Sequence, residues 1–330
     1  MPRYIIHVGP HKTGSTYLQV QFERLAPHLR ARGIVYPSNW LHSRAPGHFL
    51  LAERLRTGTD AALADEFRAL NSLDCETILI SSEELSSLPV ESIALLKSYL
   101  EIHETRIVYY CRRWLELLPS KWQETVKHGH TWSFPEFMTA NLVNPFGSNN
   151  LNYANELSRF EQVFGLERLF LVSYSNVVER DLDLSAHFFR SFLSWPNVPI
   201  TEGMRPNQSL SILDIELIRA LNGLAKIAGR PRDAVIRSKY LAGKKALDLS
   251  LLYGAMERHR ESFWFNENSR ILKTLHQEIF EKYGSRLVPP RSALFFFLQK
   301  KGTIEYINQD YLLEIGVAES LQTAYKTIGG

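Results

Sequence analysis

The stretch HVGPHKTGSTYLQ, residues 7 to 19, overlaps an apolar strand signal, YIIHV (4–8), and leads into an amphipathic helical one. Leu18, Phe22, Leu25 and Leu29 recur at spacings of four, three and four and make one apolar stripe. Between strand and helix stand the two glycines of a G-x-x-x-x-G phosphate loop, Gly9 and Gly14, followed by the hydroxyls of Ser15 and Thr16. The lysine such a loop carries directly after its second glycine is absent, and Lys12 stands two residues before it. A helix start offers unpaired N–H groups and the positive end of the helix dipole, so the junction suits a phosphate. Inside the loop, Lys12 is placed for a shorter 5′ group than the outer phosphates of a nucleoside triphosphate.

Three further continuous apolar runs read as strands: TILIS (77–81), RIVYYC (106–111) and LFLVSY (169–174), with GIVYP (33–37) as a fifth candidate. Runs without alternation point to strands covered on both faces, as in a parallel sheet. Helical patterns lie between them. ESIALLKSYL (91–100) follows Pro89, and LNYANELSRFEQVFG (151–165) ends on Gly165, a residue suited to a helix C-terminus. The expected fold is α/β, a central parallel sheet flanked by helices. Residues 1–200 form the core, and 201–330 a mainly helical extension packed on it, where strand signals fade and SLSILDIELIRALNGLAKI and SRILKTLHQEIFEKYG read as helices.

Composition narrows the class. The 330 residues are 45% hydrophobic and 22% charged, with a formal net charge of +3. That suits a soluble globular protein and an anionic ligand, and gives no support for nucleic acid as a partner. The longest apolar run, ALFFFL (293–298), has six residues, so no transmembrane segment is expected. The two cysteines, Cys75 and Cys111, read as buried free thiols, and the first residues enter a strand too soon for a signal peptide. Together these point to the cytoplasm.

The segment GPHKTGSTYLQ resembles the 5′-phosphosulfate loop of the PAPS-dependent sulfotransferases, above all bacterial forms with a loop of the type G-x-x-K-T-G-[ST]-[ST]-x-L-Q. The resemblance implies a three-layer fold like that of the P-loop nucleotide kinases. It also implies transfer of a sulfuryl group from 3′-phosphoadenylyl sulfate (PAPS) to a hydroxyl, leaving adenosine 3′,5′-bisphosphate, with no metal required. The loop ligands would be Gly9, His11, Lys12, Thr13, Gly14, Ser15 and Thr16, with Lys12 stabilising the leaving phosphate. The family binds the 3′-phosphate with an arginine at a strand end and a serine eight residues later. Here RIVYYCRRWLELLPSKWQE supplies Arg112 and Ser120, with Arg113 a rival for Arg112. An arginine fork suits a phosphate dianion. ILISSEEL is similar to a third family segment near the transferring group, and Arg205 and Asn207 in RPNQSLS match a loop near the nucleotide.

A general base belongs beside the acceptor hydroxyl. Glu83, just past the TILIS strand, is the first choice; His48 and His11 are the second and third. Glu84 points elsewhere if Glu83 points in. His128 and His130 lack a third partner, so no metal site is expected. Trp114, Trp122 and Trp132 are either core aromatics or the lining of a sugar or aromatic cleft. Residues 226–245 carry seven Lys or Arg against one acid, either a solvated face or a seat for an anionic acceptor such as an acidic glycan. Two other readings stay open: a P-loop nucleotide kinase, which requires the missing lysine after Gly14, and a non-catalytic nucleotide-binding protein.

Overall fold

A computed structural model describes residues 2–41, 46–100, 104–180, 183–199, 210–288 and 301–329. Its elements, in chain order, are β1 (Arg3–His7), α1 (Ser15–Arg24), α2 (Ala26–Arg30), β2 (Ile34–Val35), α3 (Phe49–Thr57), α4 (Ala61–Asn71), β3 (Thr77–Ser81), α5 (Val90–Leu100), β4 (Thr105–Cys111), α6 (Trp114–Lys127), α7 (Phe134–Val143) and α8 (Ala154–Phe164). There follow β5 (Leu169–Ser173), α9 (Tyr174–Glu179), α10 (Leu184–Phe192), α11 (Ile212–Ile227), α12 (Val235–Gly243), α13 (Ser250–Arg258), β6 (Arg260–Asn266), α14 (Arg270–Tyr283), β7 (Lys301–Ile307) and a last helix, Val317–Thr327. They form two compact units. One comprises Met1–Arg113, Leu151–Pro206 and Arg270–Gln299; the other comprises Trp114–Asn150, Asn207–Ser269 and Lys300–Gly330. Residues 114–150 of the expected core thus belong to the second unit, and 270–299 of the expected extension to the first.

The first unit is built on a five-stranded sheet in the order β2-β3-β1-β4-β5, every pair parallel. Side chains alternate between its faces. On one face Ile5, Leu79, Val108, Tyr110 and Val172 pack with Leu18 and Phe22 of α1 and Phe188, Phe189 and Phe192 of α10. The rings of Phe22 and Phe188 stand 4.8 Å apart. Residues one step along the strands face the opposite way: the Tyr4 hydroxyl donates to Asn71 Oδ1 of α4, and Tyr109 donates to Glu156 of α8. The expected α/β layering holds, and the four main strand signals match β1, β3, β4 and β5 closely. GIVYP contracts to the two-residue β2.

In the second unit α11 is buried on nearly every side, Asp214, Glu216, Arg219 and Asn222 included. Each of these polar residues is paired within the unit; Arg219 and Glu216, for example, form a buried ion pair. The unit also contains what the helical reading omits, an antiparallel pair of strands, β6 and β7, in register from Arg260↔Ile307 to Asn266↔Lys301. Most of β6 is exposed, so RESFWFN presents no continuous apolar run to read. Cys111 is buried as expected, whereas Cys75 is half-buried, lying in the turn before β3; both are free thiols. No described helix is long and apolar enough to cross a membrane.

Candidate functional site

The β1–α1 loop runs over the C-terminal end of the parallel sheet, where open α/β folds place ligands. Its path depends on three left-handed residues: Gly9 at φ +90°, Lys12 at +70° and Gly14 at +81°. At Gly9 no side chain fits, since a Cβ would lie 2.8 Å from Glu83 Cβ and 3.0 Å from Glu83 Cα. The loop therefore presses directly on the start of the short 3-10 helix Glu83–Ser87. Lys12 is different, because a lysine pays a steric cost at positive φ that glycine does not. Strain of this kind gathers where function requires a particular side chain.

Inside the loop, Thr13 is fully buried and its hydroxyl donates to Pro10 O at 2.6 Å. Its side chain therefore braces the turn from within. Gly14 precedes α1, whose first turn carries no acidic residue, and no side chain caps it. The leading N–H groups of α1 consequently point at the loop unscreened, an anion-binding arrangement. Ser15 is buried and Thr16 half-buried at this helix start.

Arg112, one residue past β4, reaches into the same place. Its Nη1 donates to Lys12 O at 2.8 Å, and its guanidinium lies 5.1 Å from the centre of the Tyr174 ring. Its backbone is held by Tyr153, whose hydroxyl donates to Arg112 O and accepts from Arg112 N at 3.2 Å. Tyr174 also touches Gly14, where a Cβ would meet its ring at 3.2 Å. Arg113 points away, buried in a fork-to-carboxylate pair with Glu179 and tied through its backbone N–H to Ser175 Oγ. Of the two arginines, Arg112 is the one at the loop. Ser120 lies half-buried on α6, in the second unit.

Glu83 is 8% exposed, and Gln19 of α1 donates to its Oε2 at 2.7 Å. Beside it, Ser82 Oγ and Gln19 Oε1 are buried without a hydrogen-bond partner among the described residues. Glu84 faces elsewhere, toward Arg56 at 3.1 Å and His11 Nε2 at 3.5 Å, and the His11 hydrogen bond does most to hold its carboxyl down to about 2. His48 is fully buried and both ring nitrogens are engaged. Nδ1 accepts from Ser81 N at 3.0 Å, so the hydrogen sits on Nε2, which donates to Pro37 O at 2.9 Å. Burial holds the ring down to about 4. His48 thus ties β3 to the segment after β2. Arg205 and Asn207 lie outside the described residues.

Gln19, Tyr153 and Tyr174 were not singled out from the sequence. Gln19 has a weak signal, since it closes the loop segment; the tyrosines have none, being distant in sequence from the loop they brace. Trp114 and Trp122 are buried core residues, while Trp132 is 46% exposed. Among the described residues no three His, Cys, Asp or Glu gather as a metal-holding group.

No protein family model and no curated protein sequence matches this chain. Among solved structures, a sulfotransferase from Alicyclobacillus acidocaldarius aligns over 72% of this chain and 99% of its own, at 14% identity and a TM-score of 0.36.

Two outcomes follow from the geometry. Lys12→Gly is more thermally stable than Lys12→Ala by about 1 kcal/mol, because only glycine relieves the left-handed backbone; equal melting temperatures contradict the strain. Four histidines are held neutral by burial, His7 at about 3 and His48, His187 and His276 at about 4. The unfolded chain therefore takes up more protons between about pH 6.5 and 4, so stability is full above that window and falls with pH through it. In denaturant titrations across the window, His48→Gln flattens the slope by up to about 1.4 kcal/mol per pH unit. An unchanged slope contradicts a neutral buried His48.

Proposed function

We propose that the chain is a sulfotransferase that binds PAPS on the β1–α1 loop and moves its sulfuryl group to a hydroxyl of a small-molecule or glycan acceptor. The observation that carries this reading is the contact of the Arg112 guanidinium with the loop that carries Lys12, ahead of an uncapped helix start. Lys12 sits in the loop, and Arg112 hydrogen-bonds the backbone of that same residue. One phosphate on the loop and a second on the arginine describe a nucleotide phosphorylated at both the 5′ and 3′ positions. The residues present fit such a group, since the loop lies close against Glu83 at Gly9, and the neighbouring Ser82 hydroxyl is buried without a partner among the described residues.

PAPS would supply an activated sulfuryl group. The loop N–H groups, Lys12 and the Ser15 and Thr16 hydroxyls would hold its 5′ end, and Arg112 its 3′-phosphate, with Ser120 the further ligand expected from the sequence. Charge grows on the leaving phosphate as the bond to sulfur breaks, and a fixed lysine with preoriented N–H dipoles opposes that growth without rearrangement. Glu83 takes the acceptor's proton. The Gln19 amide donates to its carboxylate and fixes its orientation. His48 is not assigned this role, since its lone pair already accepts from Ser81 N–H.

Calorimetry with adenosine 3′,5′-bisphosphate and with ADP, each with and without magnesium, tests the reading. A charge-assisted bond to the 3′-phosphate gives the bisphosphate a preference of roughly ten- to a hundredfold, independent of metal and lost in Arg112→Ala. Equal affinities, or tighter ADP binding with magnesium, overturn it in favour of an ordinary nucleotide site. With water as the acceptor, release of sulfate from PAPS falls at least about a hundredfold in Glu83→Gln while bisphosphate affinity holds. An unaltered rate removes Glu83 as the base.

A further inference from the structure

A cavity lies wholly within the second unit, between the turn after α6 and the segment joining α11 to α12. Its volume is about 240 Å³, and its lining includes His130, Trp132, Asn222, Lys226, Arg230 and Arg232. The walls are built rather than incidental. Gly129, at φ +88°, lets the 232–233 backbone pass so close that a Cβ there would lie 2.6 Å from Asp233 O. The turn is pinned on three sides: Asn222 Nδ2 donates to Val126 O and His130 O, Arg219 Nη1 to Thr131 O, and Trp122 Nε1 to Trp132 O.

These anchors hold only backbone carbonyls, so the Trp132 indole is left 46% exposed on a fixed base. Its ring meets His130 edge-on at 5.6 Å. Lys226, Arg230 and Arg232 lie in exposed positions, and none has an ion-pair partner among the described residues. The acid in the lining, Asp233, accepts from Val235 N at 2.9 Å and so faces the start of α12. The basic run is thereby divided. Lys244 pairs with Asp214 and Lys239 donates to Gly329 O, while three of the seven cations line the same cavity as Trp132.

We propose that this cavity binds an anionic sugar ring, with a ring face against Trp132 and a carboxylate or sulfate ester on the Lys226–Arg230–Arg232 side. The volume suits one ring with its substituents. Fixed aromatic surface beside guanidinium forks gives both a flat partner and charge-assisted donors. A single-stranded nucleic acid instead needs a cationic track for successive phosphates and several stacking platforms. Here the cations surround one cavity, in a chain whose net charge is only +3.

The inference stands whether or not the first unit binds a bisphosphate. The test is ¹⁹F NMR of the full chain labelled with 5-fluorotryptophan, the Trp132 resonance being assigned with Trp132→Phe. Methyl glucuronide and glucose 6-sulfate, the two sources of the anionic group, are titrated beside neutral methyl glucoside, inorganic sulfate and a thymidine hexanucleotide. At least one anionic sugar shifts the Trp132 resonance and binds about tenfold or more tightly than methyl glucoside. The folded double variant Arg230→Ser/Arg232→Ser removes that preference, and Lys12→Ala leaves the titration unchanged. The proposal is overturned by sulfate alone giving the same response, by tighter binding of the hexanucleotide, by an unaffected double variant, or by the absence of any shift.

Discussion

The uncapped start of α1, held open by three left-handed residues, is the constraint around which the first unit is arranged. A helix start without a side-chain cap costs stability unless something else meets its N–H groups, and here the loop is braced to keep it bare. Thr13 ties the turn from inside, Gly9 lets it rest on Glu83, and Arg112 fastens it from β4. Residues following three adjacent strands of the sheet, β3, β1 and β4, thus meet at the β1–α1 loop. Substitutions at any of these contacts act on the loop before they act on chemistry.

The buried polar groups of the site divide in two. His48 and Thr13 are satisfied by backbone partners and hold shape. Gln19 and Ser82 each keep a buried polar atom without a partner among the described residues, close to the Glu83 carboxylate just past β3. Leaving such atoms unsatisfied is unfavourable in an ordinary core. Their placement beside the loop is understandable where a polar ligand completes them.

Much of this was legible in the sequence, for reasons that can be named. β1, β3, β4 and β5 are covered on both faces, so their apolar runs are continuous and hard to misread. The loop declared itself through glycines whose positive φ and close contacts admit little else. The choice between Arg112 and Arg113 was not legible, because it depends on Glu179, far along the chain, capturing one of them. The two backbone partners of His48, Ser81 N and Pro37 O, leave no sign in the sequence around it. β6 and β7 escaped because most of β6 faces outward, and the Trp132 cavity because its walls come from residues about a hundred positions apart. Composition gathered the seven cations into one run; folding sends some to carboxylate or carbonyl partners and places three in the lining of one cavity with Trp132.

The central claim is that the β1–α1 loop and Arg112 together hold one doubly phosphorylated nucleotide, and a crystal structure of the chain with adenosine 3′,5′-bisphosphate tests it most directly. The account predicts the 5′-phosphate on the backbone N–H groups between Gly9 and Thr16, and the 3′-phosphate within hydrogen-bond distance of the Arg112 guanidinium. A bisphosphate bound elsewhere, or bound at the loop with its 3′-phosphate turned away from Arg112, would contradict it.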